Sequence, residues 1–502
     1  MSAPTRYRVA IPRPHTHLVE VEARYRELDG LPPSIVLRMA GWTPGSYLVR
    51  DYARQVEGLE AATAGGERLS VEKLDKASWR IDRRGASEVV VRYRVFAHEL
   101  SVRTSHVDAT HAFLNGAPTF LWLEERRGAP HEVILEAPAG WRTVTALTPL
   151  GGDRWQAADL DQLIDSPIHL GGGPVHEIEA AGRPHQLAIW GRPEPGAASV
   201  DDLVADTRKI IEAHAAVFGG APPYDRYAFM LMLAPGVYGG LEHAASTALL
   251  STPFAFATRK KYEELLELVS HEYFHLWNVK RIRPEALGPF DYTRENYTRS
   301  LWVVEGLTSY YDRYTLRRAG LQSVKRYLEK LAEEWGQVQA IPGRRKVSVE
   351  EASFDAWIKH YKPDENTVNS TISYYLKGSI VCLALDLEIR RRSGGRRSLD
   401  DVLRRLWTEF AAAGRGYPDA AVQREMERAV DLDLGPFFDR FVRGREDPDL
   451  AGALAGVGLT LQPKAEKPPE GEPERPPGWL GTLTREVAGR LAVAAVLGGS
   501  PA

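Results

Sequence analysis

This sequence has little cysteine, little net charge and no long apolar run. The single cysteine among 502 residues, Cys382, excludes a disulfide within the chain and fits a reducing compartment. Its 64 Lys and Arg residues against 67 Asp and Glu leave a net charge of −3, which gives no reason to expect nucleic acid or an anionic membrane as a partner. No apolar run approaches the roughly 18 residues of a membrane-spanning helix, and residues 1–7 lead into strand-like sequence without an apolar signal core. These absences favour a globular, cytoplasmic protein and say nothing about its oligomeric state.

The most informative stretch is His271-Glu272-Tyr273-Phe274-His275, which lies in a segment whose apolar residues recur at helical spacing. Residues four apart lie on the same face of a helix, so His271 and His275 are predicted to supply two ligands of one zinc ion. Glu272 is rotated from His271 by about 100° around the helix axis, so it would lie beside the zinc ion without having to bind it. A general base for zinc-bound water belongs in that place. The alternative is a surface helix that carries two histidines and an acid. The neighbouring aromatic residues argue against it, because they indicate burial.

Glu305 is the candidate for the third zinc ligand. A catalytic zinc takes three protein ligands and leaves one position for water. Glu305 is the only charged residue between Arg299 and Asp312, in an otherwise apolar segment. Burying an unpaired carboxylate costs several kcal/mol, so either a metal or an ion pair with a distant Lys or Arg must compensate it.

The pattern along the chain predicts five segments. Residues 1–175 contain alternating or short apolar runs separated by turn residues, which predicts a β-rich domain of the sandwich type. Residues 176–345 are predicted to form the zinc catalytic domain, and residues 346–462 a helical region. Residues 463–477 are rich in Pro and Glu and predict a linker. Residues 478–502 predict two short strands, too few to bury a core of their own.

Glycines precede an acidic residue in Gly239-Gly240-Leu241-Glu242. On an edge strand, such glycines allow another backbone to approach closely. The segment is therefore a candidate strand for binding substrate.

The sequence resembles the glycyl aminopeptidase family of zinc metallopeptidases, which are gluzincins with a thermolysin-like catalytic domain and usually a C-terminal PDZ domain. The resemblance covers most of residues 1–450 and rests on several separated motifs. They are Trp42-Thr43-Pro44-Gly45-Ser46-Tyr47, Gly239 to His243, Ser270 to Arg281, Asp291 to Tyr297, Glu305 to Tyr311 and Tyr374 to Gly378. The fold it implies is an α+β multidomain protein with an N-terminal β-sandwich, a thermolysin-like catalytic domain, a helical C-terminal part and a partial PDZ-like end. About two thirds of a PDZ domain would be missing from residues 478–502.

The resemblance also implies roles for single residues. His271, His275 and Glu305 would hold one zinc ion, with Glu272 as the general base. Tyr375 would donate a hydrogen bond to the oxyanion of the transition state, although a packing role is the alternative. Glu242 would bind the N-terminal ammonium of the substrate, beside Gly239 and Gly240. Leu241 and His243 replace the Met and Asn of the usual aminopeptidase motif, so a structural role for Glu242 stays open.

The predicted function is therefore that of a zinc-dependent aminopeptidase. It would act on peptides with a free N-terminus and prefer small N-terminal residues such as Gly or Ala. One alternative is a zinc endopeptidase with an open cleft. Another is a non-catalytic, PDZ-type peptide-binding adaptor, which would not need to keep a general base.

Overall fold

The chain folds into two compact units. The computed structural model describes residues 3–463 and 480–502. The first unit comprises residues 1–280 and 288–296, and the second comprises residues 281–287 and 297–502. The first is rich in strands and the second in helices, so the predicted mixed α+β class is confirmed. The five-segment division stays a prediction, and the predicted linker lies, apart from residue 463, outside the described residues.

The first unit contains most of the strands. Its strands are β1 (Thr5–Ala10), β2 (Leu18–Tyr25), β3 (Ser34–Arg38), β4 (Val56–Thr63), β5 (Arg68–Asp75), β6 (Ser78–Asp82), β7 (Val89–Phe96), β8 (His106–Val107), β9 (His111–Leu114), β10 (Trp122–Leu123), β11 (His131–Glu136), β12 (Arg142–Thr145), β13 (Thr148–Gly151), β14 (Arg154–Ala157), β15 (Ile168–Gly171), β16 (Val175–Ala180), β17 (Arg183–Trp190), β18 (Tyr227–Leu233), β19 (Gly239–Glu242) and β20 (Ser246–Ser251). Its helices are α1 (Leu160–Ile164), α2 (Val200–Phe218) and α3 (Arg259–Phe274).

Two sheets share the core of the N-terminal part. The larger has 11 strands in the order β10-β3-β6-β5-β4-β7-β2-β1-β11-β14-β13, and the smaller has four in the order β12-β15-β9-β8. Strand β2 alternates, with Val19, Val21 and Ala23 buried in the core. Ile168 and Leu170 of β15 enter the same core from the smaller sheet. The predicted β-rich character of residues 1–175 is therefore confirmed.

A third sheet supports the segment that carries the two predicted histidine ligands. Its order is β16-β17-β18-β20-β19, in which β17, β18 and β20 run parallel and β19 is an antiparallel edge strand. All seven residues of β18 are buried, as expected for a central parallel strand. Helix α3 packs against β19 and β20. The amphipathic pattern of residues 200–218 predicts the helix that forms α2, and the continuous apolar run of residues 227–233 predicts the buried strand β18. Strand β19 takes the predicted edge position.

The second unit is mainly helical. Its helices are α4 (Leu307–Arg318), α5 (Val324–Ala340), α6 (Val349–Phe354), α7 (Thr367–Ser370), α8 (Leu376–Ser393), α9 (Leu399–Leu406), α10 (Val422–Val430), α11 (Gly435–Phe437) and α12 (Leu450–Ala455). Three further stretches are π-helical, at Trp302–Gly306, Trp407–Ala411 and Phe438–Val442. Among the residues that the structure describes, no helix has both the length and the apolar character needed to cross a membrane.

The C-terminal residues form a hairpin, as the pattern predicted. Its strands are β21 (Thr482–Val487) and β22 (Arg490–Val496), paired antiparallel. The Asn369 side chain donates a hydrogen bond to the Val496 carbonyl (2.8 Å) and accepts one from the Gly498 N–H (2.7 Å). The hairpin therefore docks on the helical unit, while its identity as part of a PDZ domain stays a prediction.

Candidate active site

Helix α3 places His271 and His275 on one face, as their spacing predicts. The helix begins after Thr258, whose hydroxyl accepts a hydrogen bond from the Lys261 N–H, and His275 is the first residue beyond its last turn. The two imidazole rings are 4.8 Å apart between centroids. Nδ1 of the buried His275 lies 2.6 Å from the Asn278 carbonyl oxygen, which fixes the ring by accepting the Nδ1 proton. With the proton on Nδ1, the lone pair of the ring is on Nε2, and an imidazole in this form is able to bind a metal.

Two buried carboxylates converge on His275. Glu242 at the end of β19 is 3% exposed, and Glu272 is 5% exposed. One ligand atom each of Glu242, Glu272 and His275 lies within 4.8 Å of the others. A β-carbon on Gly240 would overlap the Glu272 carboxylate, so only glycine fits between strand and acid. The glycine pattern before Glu242 thus has a physical cause, which is the close approach of β19 to α3.

The loop at residues 42–47 covers Glu242. Gly45 has a φ of +85°, a conformation that favours glycine, and a β-carbon there would lie 2.7 Å from Cδ of Glu242. The Trp42 indole N–H donates a hydrogen bond to the Asp291 carbonyl at 3.0 Å and fixes the start of the loop. The motif around Gly45 therefore restricts the space beside the Glu242 carboxylate.

Asp165 holds the segment that follows Glu242. Its carboxylate lies 3.0 Å from His243 Nδ1 and accepts hydrogen bonds from the Ala244 N–H (2.8 Å) and from Lys280 Nζ (2.7 Å). Burial disfavours the ionised acid, but Lys280 and the His243 hydrogen bond outweigh it and lower the pKa of Asp165 to about 2. His243, which departs from the usual aminopeptidase motif, therefore serves to anchor the turn after β19.

In the second unit, Glu305 lies in the π-helical stretch Trp302–Gly306 and is 1% exposed. Single π-helical turns are often found at functional sites, where they redirect one side chain. The next residue, Gly306, meets Gly378 of α8 backbone to backbone, because a β-carbon on Gly306 would lie 2.7 Å from the Gly378 Cα. Two glycines thus bring the segment of Glu305 against the start of α8.

Tyr375 occupies the N-cap position of α8, without a capping hydrogen bond from its side chain, and lies near Glu305. Its ring stacks on that of His360, with centroids 5.3 Å apart and planes at 27°. Burial, followed by the negative charge of Glu305, raises the pKa of Tyr375 well above its usual value of 10. The phenol therefore keeps its proton at neutral pH and can donate a hydrogen bond. Tyr374 is fully buried, whereas Tyr375 is only partly so.

Within the first unit, the structure brings Gly240, Glu242, Glu272 and the two histidines together, with Gly239 at the start of the same strand. Within the second unit, it brings Glu305 and Tyr375 together. The catalytic and ligand roles of these residues stay predictions.

Sequence reasoning missed Asp165, Lys280 and His360. Asp165 and Lys280 are 115 residues apart, and no local pattern links them. His360 is an isolated histidine outside any spacing motif, and only its packing on Tyr374 and Tyr375 identifies it.

Known protein families and structures resemble this chain. Residues 6–172 match the Peptidase M61 N-terminal domain, and residues 264–381 match the M61 glycyl aminopeptidase family. The crystal structure of an aminopeptidase N family protein from Idiomarina loihiensis is similar to the chain, with 32% sequence identity and a TM-score of 0.90. That similarity covers 99% of this chain and 86% of the other. The comparison with curated proteins gives no match.

More distant structures share the fold. An M1 zinc metallopeptidase from Deinococcus radiodurans is 15% identical, with a TM-score of 0.52 over 89% of this chain and 95% of the other. A two-domain M1 zinc metallopeptidase mutant bound to L-arginine is 14% identical, with a TM-score of 0.54 over 89% and 94% of the two chains. The family matches and the 32% identical relative together show that the chain is a metallopeptidase and belongs to the M61 glycyl aminopeptidase family.

Proposed function

We propose that the protein is a zinc-dependent aminopeptidase that removes the N-terminal residue from peptides with a free N-terminus. The convergence of Glu242, Glu272 and His275 is the observation that carries this proposal. Two carboxylates buried this close repel each other, and a cation stabilises the pair. The ammonium group of a peptide substrate supplies such a charge at Glu242.

His271, His275 and Glu305 are the proposed ligands of one zinc ion. Two imidazoles and a carboxylate are a donor set of catalytic zinc sites, and the hydrogen bond from His275 Nδ1 to the Asn278 carbonyl is the outer support that such a ligand needs. When bound, zinc supplies a Lewis acid that polarises the scissile carbonyl and makes water more acidic.

The chain's own residues divide the remaining work. Glu272 accepts a proton from the attacking water and later passes it to the leaving amine. Tyr375, which keeps its proton at neutral pH, donates a hydrogen bond to the oxyanion that develops on the carbonyl. Glu242 pairs with the substrate ammonium and places the first peptide bond, rather than an internal one, at the reacting groups.

A preference for small N-terminal residues follows from the loop at residues 42–47. The backbone at Gly45 lies against the Glu242 carboxylate, so the space beside the bound ammonium group is limited on that side. The name of the matched family, glycyl aminopeptidase, supports the same preference. We therefore propose that N-terminal Gly and Ala are accepted better than larger residues.

The test compares matched substrates on the full chain. Aminoacyl peptides that begin with Gly, Ala, Leu or Arg are assayed with free and with N-acetylated termini, before and after zinc removal by a chelator. We expect activity that depends on zinc, falls with the size of the first residue and drops at least about 100-fold in kcat/KM on acetylation, since a buried charge loses its partner.

Two variants localise the ammonium site. Glu242→Gln is expected to remove most of the discrimination against acetylated peptides, whereas Glu264→Gln, on α3, serves as a control that also removes one negative charge. Acetylated peptides that are cleaved as fast as free ones would instead support an endopeptidase. Peptide binding without cleavage by the zinc-loaded protein would support the adaptor.

A further inference from the structure

A string of histidines crosses the first unit on the four-stranded sheet, away from the α3 pair. His106 stacks on His111 with ring centroids 5.0 Å apart, and His111 in turn lies 3.7 Å from the Trp190 ring. The ring of His169 lies 6.0 Å from that of His111. On the other side, the solvent-exposed His98 lies 5.5 Å from His106.

Strand register explains why these residues meet. His106 of β8 and His169 of β15 are both directly opposite Phe113 of β9, and His111 is two residues from Phe113 on the same strand. Directly opposed residues and residues two apart lie on the same face of a sheet. The three imidazoles therefore lie on one face of the four-stranded sheet, although His169 follows His106 by 63 positions in the sequence.

One ring nitrogen of each of these three histidines is buried and lacks a hydrogen-bond partner among the described residues, while His111 Nδ1 lies 3.4 Å from Asp108 Oδ1. His106, His111 and His169 are 6%, 0% and 4% exposed. In the described part of the chain, His106 Nδ1, His111 Nε2 and His169 Nδ1 have no hydrogen-bond partner. Buried polar atoms are rarely left without a partner, so three of them on one face of a sheet are unusual.

A carboxylate completes the group. Asp108 lies in the turn between β8 and β9, and one ligand atom each of His106, Asp108 and His111 lies within 4.8 Å of the others. Its Oδ1 accepts hydrogen bonds from Thr110 Oγ1 (2.6 Å) and from the Thr110 N–H (2.7 Å). The Trp190 indole N–H donates to the same Thr110 hydroxyl at 2.9 Å, so Trp190 supports the carboxylate through Thr110.

We propose that His106, Asp108 and His111 form a second metal site, which binds a divalent transition-metal ion of the zinc type. Imidazole donors favour zinc, cobalt, nickel or copper over magnesium and calcium. In a tetrahedral zinc site with bonds of about 2.0–2.1 Å, the donor atoms lie roughly 3.3 Å apart. The donor atoms of His106, Asp108 and His111 lie within 4.8 Å of one another, so side-chain movements of the order of 1 Å bring them to that distance. The exposed His98 marks the side from which the ion enters.

The protonation states agree with this assignment. Burial, with His169 and His106 nearby, lowers the pKa of His111 to about 3, and burial lowers the pKa of His169 to about 4. Although burial disfavours the ionised acid, hydrogen bonds from Thr110 and His111 lower the pKa of Asp108 to about 2. At neutral pH the imidazoles are therefore neutral and the acid is ionised, which are the states that bind metal.

The test measures metal binding in a background without the α3 pair. Full-length protein carrying His271→Ala and His275→Ala is titrated with Co²⁺ and Zn²⁺, and binding is followed by equilibrium dialysis and by the visible absorption of Co²⁺. We expect one ion per chain. Adding His106→Gln or His111→Gln should weaken binding at least about 10-fold, whereas His131→Gln, at another buried histidine, should not.

Asp108→Asn keeps the proposal testable if the histidine variants do not fold. Asparagine can still accept the turn hydrogen bonds through Oδ1 but carries no charge, so the fold should be retained and Co²⁺ affinity should fall. A background protein that binds no ion overturns the proposal, and so does unchanged affinity in folded Asp108→Asn and His111→Gln. The result does not depend on the proposed peptidase activity, since metal content is the readout.

Discussion

The first unit contains two pairs of histidines, each close to a carboxylate of its own. The two pairs differ in how the chain brings the histidines together. His271 and His275 are four residues apart on α3, so one turn of helix suffices. His106 and His111 lie on two strands of a hairpin and meet only because of its register. The first pair is visible in the sequence as a motif, and the second is not.

The carboxylates of the two pairs differ in what they can do. Asp108 is held by hydrogen bonds from its own turn, and a pKa of about 2 makes it a poor acceptor for a catalytic proton. Glu272 lies on α3 instead, against Gly240 of β19 and close to Glu242 and His275. In the two proposed sites, two histidines and an acid would bind a metal, whereas catalysis also needs an acid that can exchange a proton.

The largest expected difference between the two clusters appears when the acid of each is neutralised in turn. Glu272→Gln should lower kcat by about 10²–10⁴-fold, because general-base catalysis is lost while the fold and zinc content are kept. Asp108→Asn should leave kcat within about twofold of wild type, since the hairpin takes no part in the reaction. Steady-state kinetics with a Gly-initiated peptide, together with metal analysis, checks both. Equal losses in the two variants would place the hairpin in the catalytic machinery.

A smaller loss of kcat is expected when the proposed hydrogen-bond donor to the oxyanion is removed. Tyr375→Phe should lower kcat by about 10²–10³-fold with zinc retained, because one preorganised donor is lost. Since burial and Glu305 raise the pKa of Tyr375, its hydroxyl stays protonated through pH 9, and wild-type activity should show no alkaline limb from this group below pH 10. Tyr297→Phe, at a 44% exposed tyrosine of the same unit, is the control. Full activity of Tyr375→Phe would assign that tyrosine to packing.

Local periodicity explains what the sequence could predict. Helical spacing identified α3 and its histidines, and the bounds of α2 and β18 followed from amphipathic and continuous apolar patterns. The two glycines before Glu242 correctly indicated a close approach of backbone, although not that Glu272 is the group approached.

Features that depend on long-range contacts could not be predicted from the sequence. The π-helical turn at Glu305 has no sequence signature of its own and accompanies the close crossing of Gly306 with Gly378. Asp165 meets His243 across 78 residues, and His106 meets His111 through strand register. Such contacts are set by tertiary packing, which local propensity does not encode.

The smallest expected effect is a difference in stability between variants of Asp165 and Asp108, two aspartates whose pKa values are both about 2. In Asp165 the value depends on Lys280 and His243, whereas in Asp108 it depends on hydrogen bonds from Thr110 and His111. A folded pKa below the unfolded value stabilises the protein above the unfolded pKa, and this stability is lost as the pH falls through the folded pKa. For Asp165, with an ordinary value of 3.8, the contribution is about 2 kcal/mol above pH 4 and disappears towards pH 2.

Asp165→Asn should therefore lower the melting temperature at pH 7 more than Asp108→Asn, because it leaves the Lys280 ammonium, 7% exposed, without its carboxylate. The difference between wild type and Asp165→Asn should shrink between pH 4 and pH 2. It should also shrink in a Lys280→Met background, because Asp165→Asn then no longer leaves a buried ammonium without a partner. Asp225→Asn, at a fully exposed aspartate, controls for the loss of one negative charge. If Asp165→Asn and Asp108→Asn cost the same at pH 7, and Lys280→Met changes neither, then hydrogen bonds rather than charge hold the turn after Glu242. In that case the two acids of the first unit are stabilised in the same way.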